Sequence, residues 1–381
     1  MNINITCYKE LGEITIWDKK FNSVGNKYTN KVISTKHVSA ETLKSLENSG
    51  NIKLLSTGLF DGYTDCSDAS IINDLEVITI PSGGTANIKY YNGKFIDSGN
   101  LLAISSNKKL YNLKYIYYYL QKHINLIENA FRGASIKHPQ MEDILAIKIP
   151  ICDIASQNKI VSILSELDNK IEKENQVIGK LKKIKQSFLE LLFPNNNNNP
   201  KLRFGNFTND WEQRKLGNCF DERIERSANG ELIAVTINSG VVKASELNRH
   251  DTSSKDKSNY KVVKINDIAY NSMRMWQGAS GFSKYNGILS PAYTVVIPKE
   301  NIDSIFFAYL FKKANIIEKF KLNSQGLTSD TWNLKFPKFS TIIIKVPKIE
   351  EQQKISSLFT NLDHLITLHQ CKPFHFNFSL Q

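Results

Sequence analysis

Between residues 157 and 193 the apolar positions recur in alternating steps of four and three. Ile160, Leu164, Leu167, Ile171, Ile178, Leu181, Phe188 and Leu192 fall on this grid, and only Glu174 and Lys185 interrupt it. The spacing predicts one unbroken helix with a coiled-coil seam. Ile163, Val177, Ile184 and Leu191 widen the stripe, so that one face can be buried against a partner helix. At 1.5 Å per residue the helix spans roughly 55 Å, a rod long enough to hold two domains apart. Its other face carries Lys170, Lys173, Lys180, Lys182 and Lys183 and reads first as a solvated surface.

The same pattern begins again at residue 352. Pairing Gln157 with Gln352 also matches Lys159 with Lys354, Ile160 with Ile355, Ser162 with Ser357, Leu167 with Leu362, Asp168 with Asp363 and Ile171 with Ile366, seven identities in fifteen positions. The second seam is thus Ile355, Phe359, Leu362 and Ile366. It breaks off in CKPFHFNFSLQ, where Pro373 removes a backbone donor. The repeat extends upstream. IKIP (147–150) and IKVP (344–347) precede the two helices, aromatic stretches at 112–122 and 302–313 predict a core helix in each half, and LGEITIW (11–17) corresponds to KLGNCF (215–220). A period this long implies two copies of one module related by a pseudo-twofold, one about 1–194 and the other 195–381, rather than a short-repeat solenoid.

Segments such as EVITI (76–80), NLLAI (100–104), KVVKI (261–265) and YTVVIP (293–298) are short, β-branched and bounded by Gly, Asn or Ser, which predicts strands among surface loops. NNNNNP (195–200) offers nothing to a core and reads as a linker.

Composition adds partners rather than fold. Forty-nine basic against 37 acidic side chains give a formal charge of +12, a field that attracts polyanions. The five scattered cysteines form no CxxC pair and fit a reducing compartment. With no apolar run of membrane-spanning length and no basic-then-apolar start, the expectation is a cytoplasmic protein with no membrane partner. Catalytic motifs are missing. There is no GxxxxGK[ST] loop, no Asn-Pro-Pro or Asp-Pro-Pro beside an aromatic, no Pro-Asp dipeptide to open a nuclease carboxylate set, and no nucleophile elbow. His364, His369, Cys371 and His375 crowd the C-terminal end without ligand spacing, so no metal site is expected.

Taken together and in order, Ile147 to Pro150 with Gln157 to Phe193, then WEQRKLG (211–217), then Ile344 to Pro347 with Glu351 to Ile366, resemble the specificity subunit of type I restriction–modification systems. The stretch 267–298 is similar to one common class of its target-recognition domains. The resemblance implies an α+β chain of two strand- and loop-rich target-recognition domains, each followed by a long helix, the second helix being truncated. In these terms residues 1–154 form the first recognition domain, 155–193 the spacer helix, 194–210 the linker, 211–349 the second recognition domain, 350–370 the shortened helix and 371–381 an atypical tail. It implies further that the chain is not an enzyme. Each domain would read half of a split double-stranded DNA target. The helices would dock methyltransferase subunits and, through them, restriction subunits, and S-adenosylmethionine, ATP and Mg would belong to those subunits, with no cofactor on this chain.

Charge and aromatic surface on predicted loops nominate Lys36, His37, Lys89, Tyr90, Tyr91, Lys94, Arg132 and Lys137 in the first domain as DNA contacts. In the second they nominate Arg249, Lys255, Lys257, Arg274, Trp276, Gln277, Lys284 and Tyr285. Arginine suits guanine edges and glutamine adenine edges. The early stop of the second seam, by natural truncation or a shifted reading frame, predicts that Ile178, Leu181, Ile184, Phe188 and Leu191 lack a cover and that the chain self-associates there. A duplicated protein-interaction scaffold, an inactive remnant of a specificity subunit and a nuclease active alone remain as alternatives.

Overall fold

In the computed structural model of the chain, residues 5–18, 31–59, 61–195, 199–247, 253–328 and 331–370 are described. Contacts divide it into two units, residues 1–171 and 172–381.

In the first unit a six-stranded sheet runs, strand beside strand, through Thr15–Trp17, Asn100–Ser105, Asn73–Pro81, Lys89–Asp97, Ile52–Leu55 and Gly62–Thr64. Strand side chains alternate between faces. Ile78 and Ile80 accordingly join Trp17, Ile116 and Leu120 in the main core, while Val77 packs with Leu55, Phe95 and Leu102 on the opposite face. A sheet covered on both sides explains why 76–80 is apolar almost throughout. The helix Leu113–Lys122 is capped by Asn112, whose side chain accepts from the amides of Lys114 and Tyr115, and it buries Leu113, Tyr115, Ile116 and Leu120. The IKIP segment becomes the strand Lys148–Ile151, paired antiparallel with Cys7–Glu10 at the start of the unit.

The second unit repeats this plan. Phe220–Glu222, Tyr293–Pro298, Ile268–Asn271 and Ser280–Phe282 lie in the same order as the first four strands of the first unit, with every pairing antiparallel in both. Asp303 caps the helix Ser304–Leu310 by accepting from the amide of Phe306, and IKVP supplies the strand Ile343–Val346, paired with Glu212–Lys215. Added hairpin-like pairs, Ile233–Thr236 with Gly240–Lys243 and Lys261–Val263 with Gly287–Leu289, take the place of the outer strands.

The matched glutamines have one physical task. Gln157 donates to the carbonyls of Cys152 (2.8 Å) and Leu110 (2.9 Å) and accepts from the amide of Asn112 (2.8 Å). Gln352 donates to Pro347 (2.9 Å) and Asn301 (3.3 Å) and accepts from Asp303 (3.0 Å). Each amide side chain is buried and ties the start of a long helix to the closing strand and to the cap of the core helix. The matched aspartates repeat too: the Tyr118 hydroxyl donates to Asp168 at 2.5 Å and that of Tyr309 to Asp363 at 2.6 Å.

The long helices are Ile154–Leu192 and Ile349–Gln370. Within the second unit they run antiparallel. Phe193 stacks on Phe359 at 5.9 Å, Lys185 pairs with Asp363 at 2.5 Å, and Glu174 meets His369 at 2.5 Å. Leu181, Phe188 and Leu189 pack against the core. The expectation that residues 178–191 lack a cover is therefore corrected for Leu181 and Phe188, which pack against the core, while Ile184 is exposed as expected. In an antiparallel pair the two helices cover each other from opposite ends, so Phe359 to His369 lie along the stretch from Phe193 back to Glu174. Exposed apolar side chains remain on both helices, with Ile171 44%, Ile184 45% and Leu368 48% accessible. In the first unit Ile160 and Val161 pack on the core, and Leu164 and Leu167 are half-buried. The tail 371–381, with Cys371, Pro373 and His375, lies outside the described residues.

Candidate nucleic-acid interface

In each unit the third and fourth strands of the shared four-strand order are joined by a loop that touches a second segment, the one that follows the core helices. In the first unit these are 82–88 and 131–139. The Gly84 amide donates to the Lys137 carbonyl at 2.8 Å, and Nδ1 of His138 lies 2.9 Å from the Ser82 carbonyl. Phe131–Arg132 pairs with His138–Pro139, making the second loop a hairpin. In the second unit they are 272–279 and, among the described residues, 325–328 with 331–333. The Leu334 amide donates to the Ser272 carbonyl at 2.8 Å, Gln325 and Asn333 exchange backbone hydrogen bonds of 3.1 and 2.8 Å, and Trp276 meets Trp332 edge to face at 5.3 Å.

Side chains brace these loops. Trp276 donates from Nε1 to the Met273 carbonyl at 3.0 Å. Lys312 donates to the carbonyls of Gly278 (2.6 Å) and Ile237 (2.9 Å). Burial, with repulsion from Lys185 behind it, pushes this amine down to about 8.

Five of the nominated residues belong to these loop pairs: Arg132 and Lys137 in the first unit, and Arg274, Trp276 and Gln277 in the second. Lys137 is exposed, and Arg132 is exposed while pairing with Asp143 at 2.7 Å. Arg274 and Gln277 are half-buried beside Trp276. Other nominees are tied into the fold. Lys36 donates to the carbonyls of Ala69 (2.6 Å) and Ile72 (3.1 Å), and the His37 backbone bridges to Asp97. Lys89 is held by Asp61 and by the Ser56 carbonyl at 2.8 Å. The Tyr90 hydroxyl donates to Glu76 at 3.0 Å, and burial followed by that carboxylate raises its pKa. Tyr91 lies edge-on to Phe95 at 5.9 Å, while Lys94 is exposed on the same strand. Lys255 is exposed and Lys257 half-buried before Tyr260; Lys284 lies over the Phe282 ring at 5.6 Å, and Tyr285 receives Lys243 at 5.5 Å. Arg249 lies outside the described residues. Sequence reasoning passed over Trp332 and Lys312, which hold the second unit's loops in place.

The family model for the type I restriction modification DNA specificity domain matches residues 14–183 and again 208–373, which is most of the chain and one match per repeat. The chain belongs to this family. Among its relatives, the type I restriction enzyme MjaVIII specificity subunit of Methanocaldococcus jannaschii is 24% identical over 318 residues, covering 78% of this chain and 74% of that protein. A putative type I restriction enzyme MjaX specificity subunit of the same organism is 32% identical over 144 residues, 34% of this chain and 33% of its own. The crystal structure of a type I restriction–modification S subunit from M. genitalium superposes with a TM-score of 0.67 at 17% identity, over 97% of this chain and 92% of that one, and so shares the fold. Membership accounts for the tandem architecture. No helix among the described residues of this specificity-family chain is long and apolar enough to cross a membrane.

Proposed function

We propose that this chain is the DNA-reading subunit of a type I restriction–modification complex, each unit reading one half of a bipartite duplex target. The observation that carries the reading is the repetition of one loop pair, delivered by the same four-strand order, once in each half of a basic chain. Phosphate contacts from exposed lysines and arginines supply sequence-independent affinity, and side chains of the loop pairs supply base-edge contacts. The long helices set the separation of the half-targets, since one turn of duplex is roughly 34 Å. Their exposed apolar residues, Ile171, Ile184, Leu365 and Leu368 among them, offer a docking face for methyltransferase subunits, which bring restriction subunits with them. In this reading the chain performs no catalysis, and S-adenosylmethionine, ATP and Mg are held by its partners in the cytoplasm.

The test is affinity capture of the full chain from its host, followed by mapping of methylated bases. Recovery of a methyltransferase subunit, together with a split methylated motif that disappears when the chain is deleted, is the expected result. Replacing residues 11–150 with the equivalent segment of a relative should change one half of that motif and leave the gap and the other half intact. Capture without a methyltransferase, or a motif that changes in both halves at once, counts against the proposal.

A further inference from the structure

In the second unit the turn of the hairpin Ile233–Thr236 with Gly240–Lys243 is fastened twice to the surroundings of loop 272–279. One amine makes the first link. Lys312 donates to the Ile237 carbonyl at 2.9 Å and to the Gly278 carbonyl at 2.6 Å, so the two oxygens lie within two hydrogen-bond lengths of one another. Backbone makes the second: a Cβ on Gly281 would lie 2.9 Å from the Gly240 Cα and 2.9 Å from the Val241 nitrogen, so the end of the turn rests directly on the strand that leaves the loop. Asn238 follows Ile237 and Gln277 precedes Gly278, which sets two amide-bearing residues next to the two carbonyls that share one lysine. The asparagine has no task in its own turn. Gly240 supplies the left-handed residue at φ +65°, the described residues other than glycine with positive φ are Asn266 and Asn301, and the Ser239 amide donates to Thr236 Oγ1 at 2.9 Å. Residues 237–239 are exposed, Gln277 is half-buried, and among the described residues nothing hydrogen-bonds to the side-chain amide of Asn238 or of Gln277. A free amide presents a donor and an acceptor side by side, the pattern that matches N6 and N7 of adenine in the major groove.

We propose that Asn238 is a specificity-determining residue that reads an adenine in the second unit's half-target, beside the base read by Gln277, and that Lys312 is the positioning residue that holds the two in register. The assignment rests on the DNA-reading function proposed above. Uncharged amides add little attraction to phosphates, which are the same at every sequence, and what each offers is a two-point match to one base edge. Two residues whose neighbouring carbonyls lie within two hydrogen-bond lengths can address successive bases, which follow one another about every 3.4 Å along a strand. Lys312 reaches both segments from the end of the core helix, so the spacing of the two amides is set by the body of the unit and not by the turn or the loop alone.

The experiment uses the full-length chain, with any modification subunit that co-purifies, and a randomised duplex library to obtain the bipartite consensus. The half that stays when residues 11–150 are exchanged belongs to the second unit. Each adenine of that half is then replaced by 7-deazaadenine, which pairs with thymine but lacks the N7 acceptor. At the base that Asn238 reads, the replacement should weaken wild-type binding about tenfold, within the worth of one bidentate pair. Asn238→Ala should lose a similar factor on the adenine duplex and nothing more when that base carries the 7-deaza group. The side chain is exposed and unbonded, so an unchanged melting curve is the control for folding. Lys312→Met is read from the ratio of affinities for the adenine and 7-deaza duplexes, which a smaller folded fraction does not alter; this ratio should fall toward one while the preferences of the first half stay as in wild type. Asn238→Ala binding the adenine duplex as wild type does, losses that multiply with the 7-deaza loss at every position, or a second half without adenine would overturn the reading by Asn238, and a wild-type ratio in Lys312→Met would overturn the positioning role. A library that yields no bipartite consensus overturns the DNA-reading function itself, and the assignment with it, so the two failures are told apart.

Discussion

Single residues decide how firmly each repeat holds its loops and helices. Gln157→Leu keeps the volume of the side chain but strands the Asn112 amide and the Cys152 carbonyl where water cannot replace the lost partner, a loss of about 2–3 kcal/mol. Calorimetry should show the transition of residues 1–171 lowered by several degrees and that of residues 172–381 unmoved. Lys312 makes the opposite kind of demand. Its amine is pushed down to about 8 from an ordinary value near 10.4, so between these limits the unfolded chain binds more protons than the folded one and stability rises with pH. The cost of the buried charge is fully present below about pH 8. Measured against Lys312→Met, the wild-type melting temperature should therefore climb as pH increases from about 8 to 10; a constant difference would refute the buried charge. Neither residue's task was fully legible in the sequence. The Gln-x-Lys-Ile signature marked the glutamine as repeated, yet its three partners come from segments that meet it only in the fold. For lysines the sequence is weaker still, since nothing in it distinguishes Lys94, whose amine reaches solvent, from Lys89, whose amine is held by Asp61.

At the level of elements, helical periodicity was read well because a seam in steps of three and four is a local property. Direction of pairing was not, because it depends on which end of one helix the loops bring to the other. The structure answers with Phe193 on Phe359 and Glu174 on His369, and it moves the consequence of the short second helix away from Leu181 and Phe188. Phe359 is completely buried, stacked on Phe193 and, at 4.6 Å, on Tyr309. Phe359→Ala should destabilise residues 172–381 by about 3–5 kcal/mol, as truncation of a buried aromatic does, leaving the first unit's transition in place. Denaturant melts followed by probes in each unit would check this. The loop pairs were legible only in part. Arg132, Lys137, Arg274, Trp276 and Gln277 were nominated from charge and aromatic character. Their mounting was hidden, because residues 82–88 and 131–139, or 272–279 and 325–333, are about fifty residues apart in the chain and meet through strand order alone.

For the whole molecule, the positive charge and the duplicated loops bear on binding thermodynamics. If about six phosphates are contacted, affinity for duplex DNA should fall about a thousandfold between roughly 50 and 200 mM salt, and fluorescence anisotropy across that range would measure the slope. An interaction scaffold with incidental charge would give no such steep dependence. The closing strands carry a different consequence. Cys7–Glu10 lies against Lys148–Ile151, and Glu212–Lys215 against Ile343–Val346, so the polypeptide goes into and leaves each body at one spot. A body with neighbouring ends can be excised, replaced or reordered at two adjacent cuts, much as circular permutation joins termini that already touch. Recombination between the two similar helix starts would then exchange one complete reader at a time, leaving the joints hydrogen-bonded as before. If each body reads half of a DNA target, as proposed, a lineage could thus change the address it marks on its genome without rebuilding the machine that does the marking.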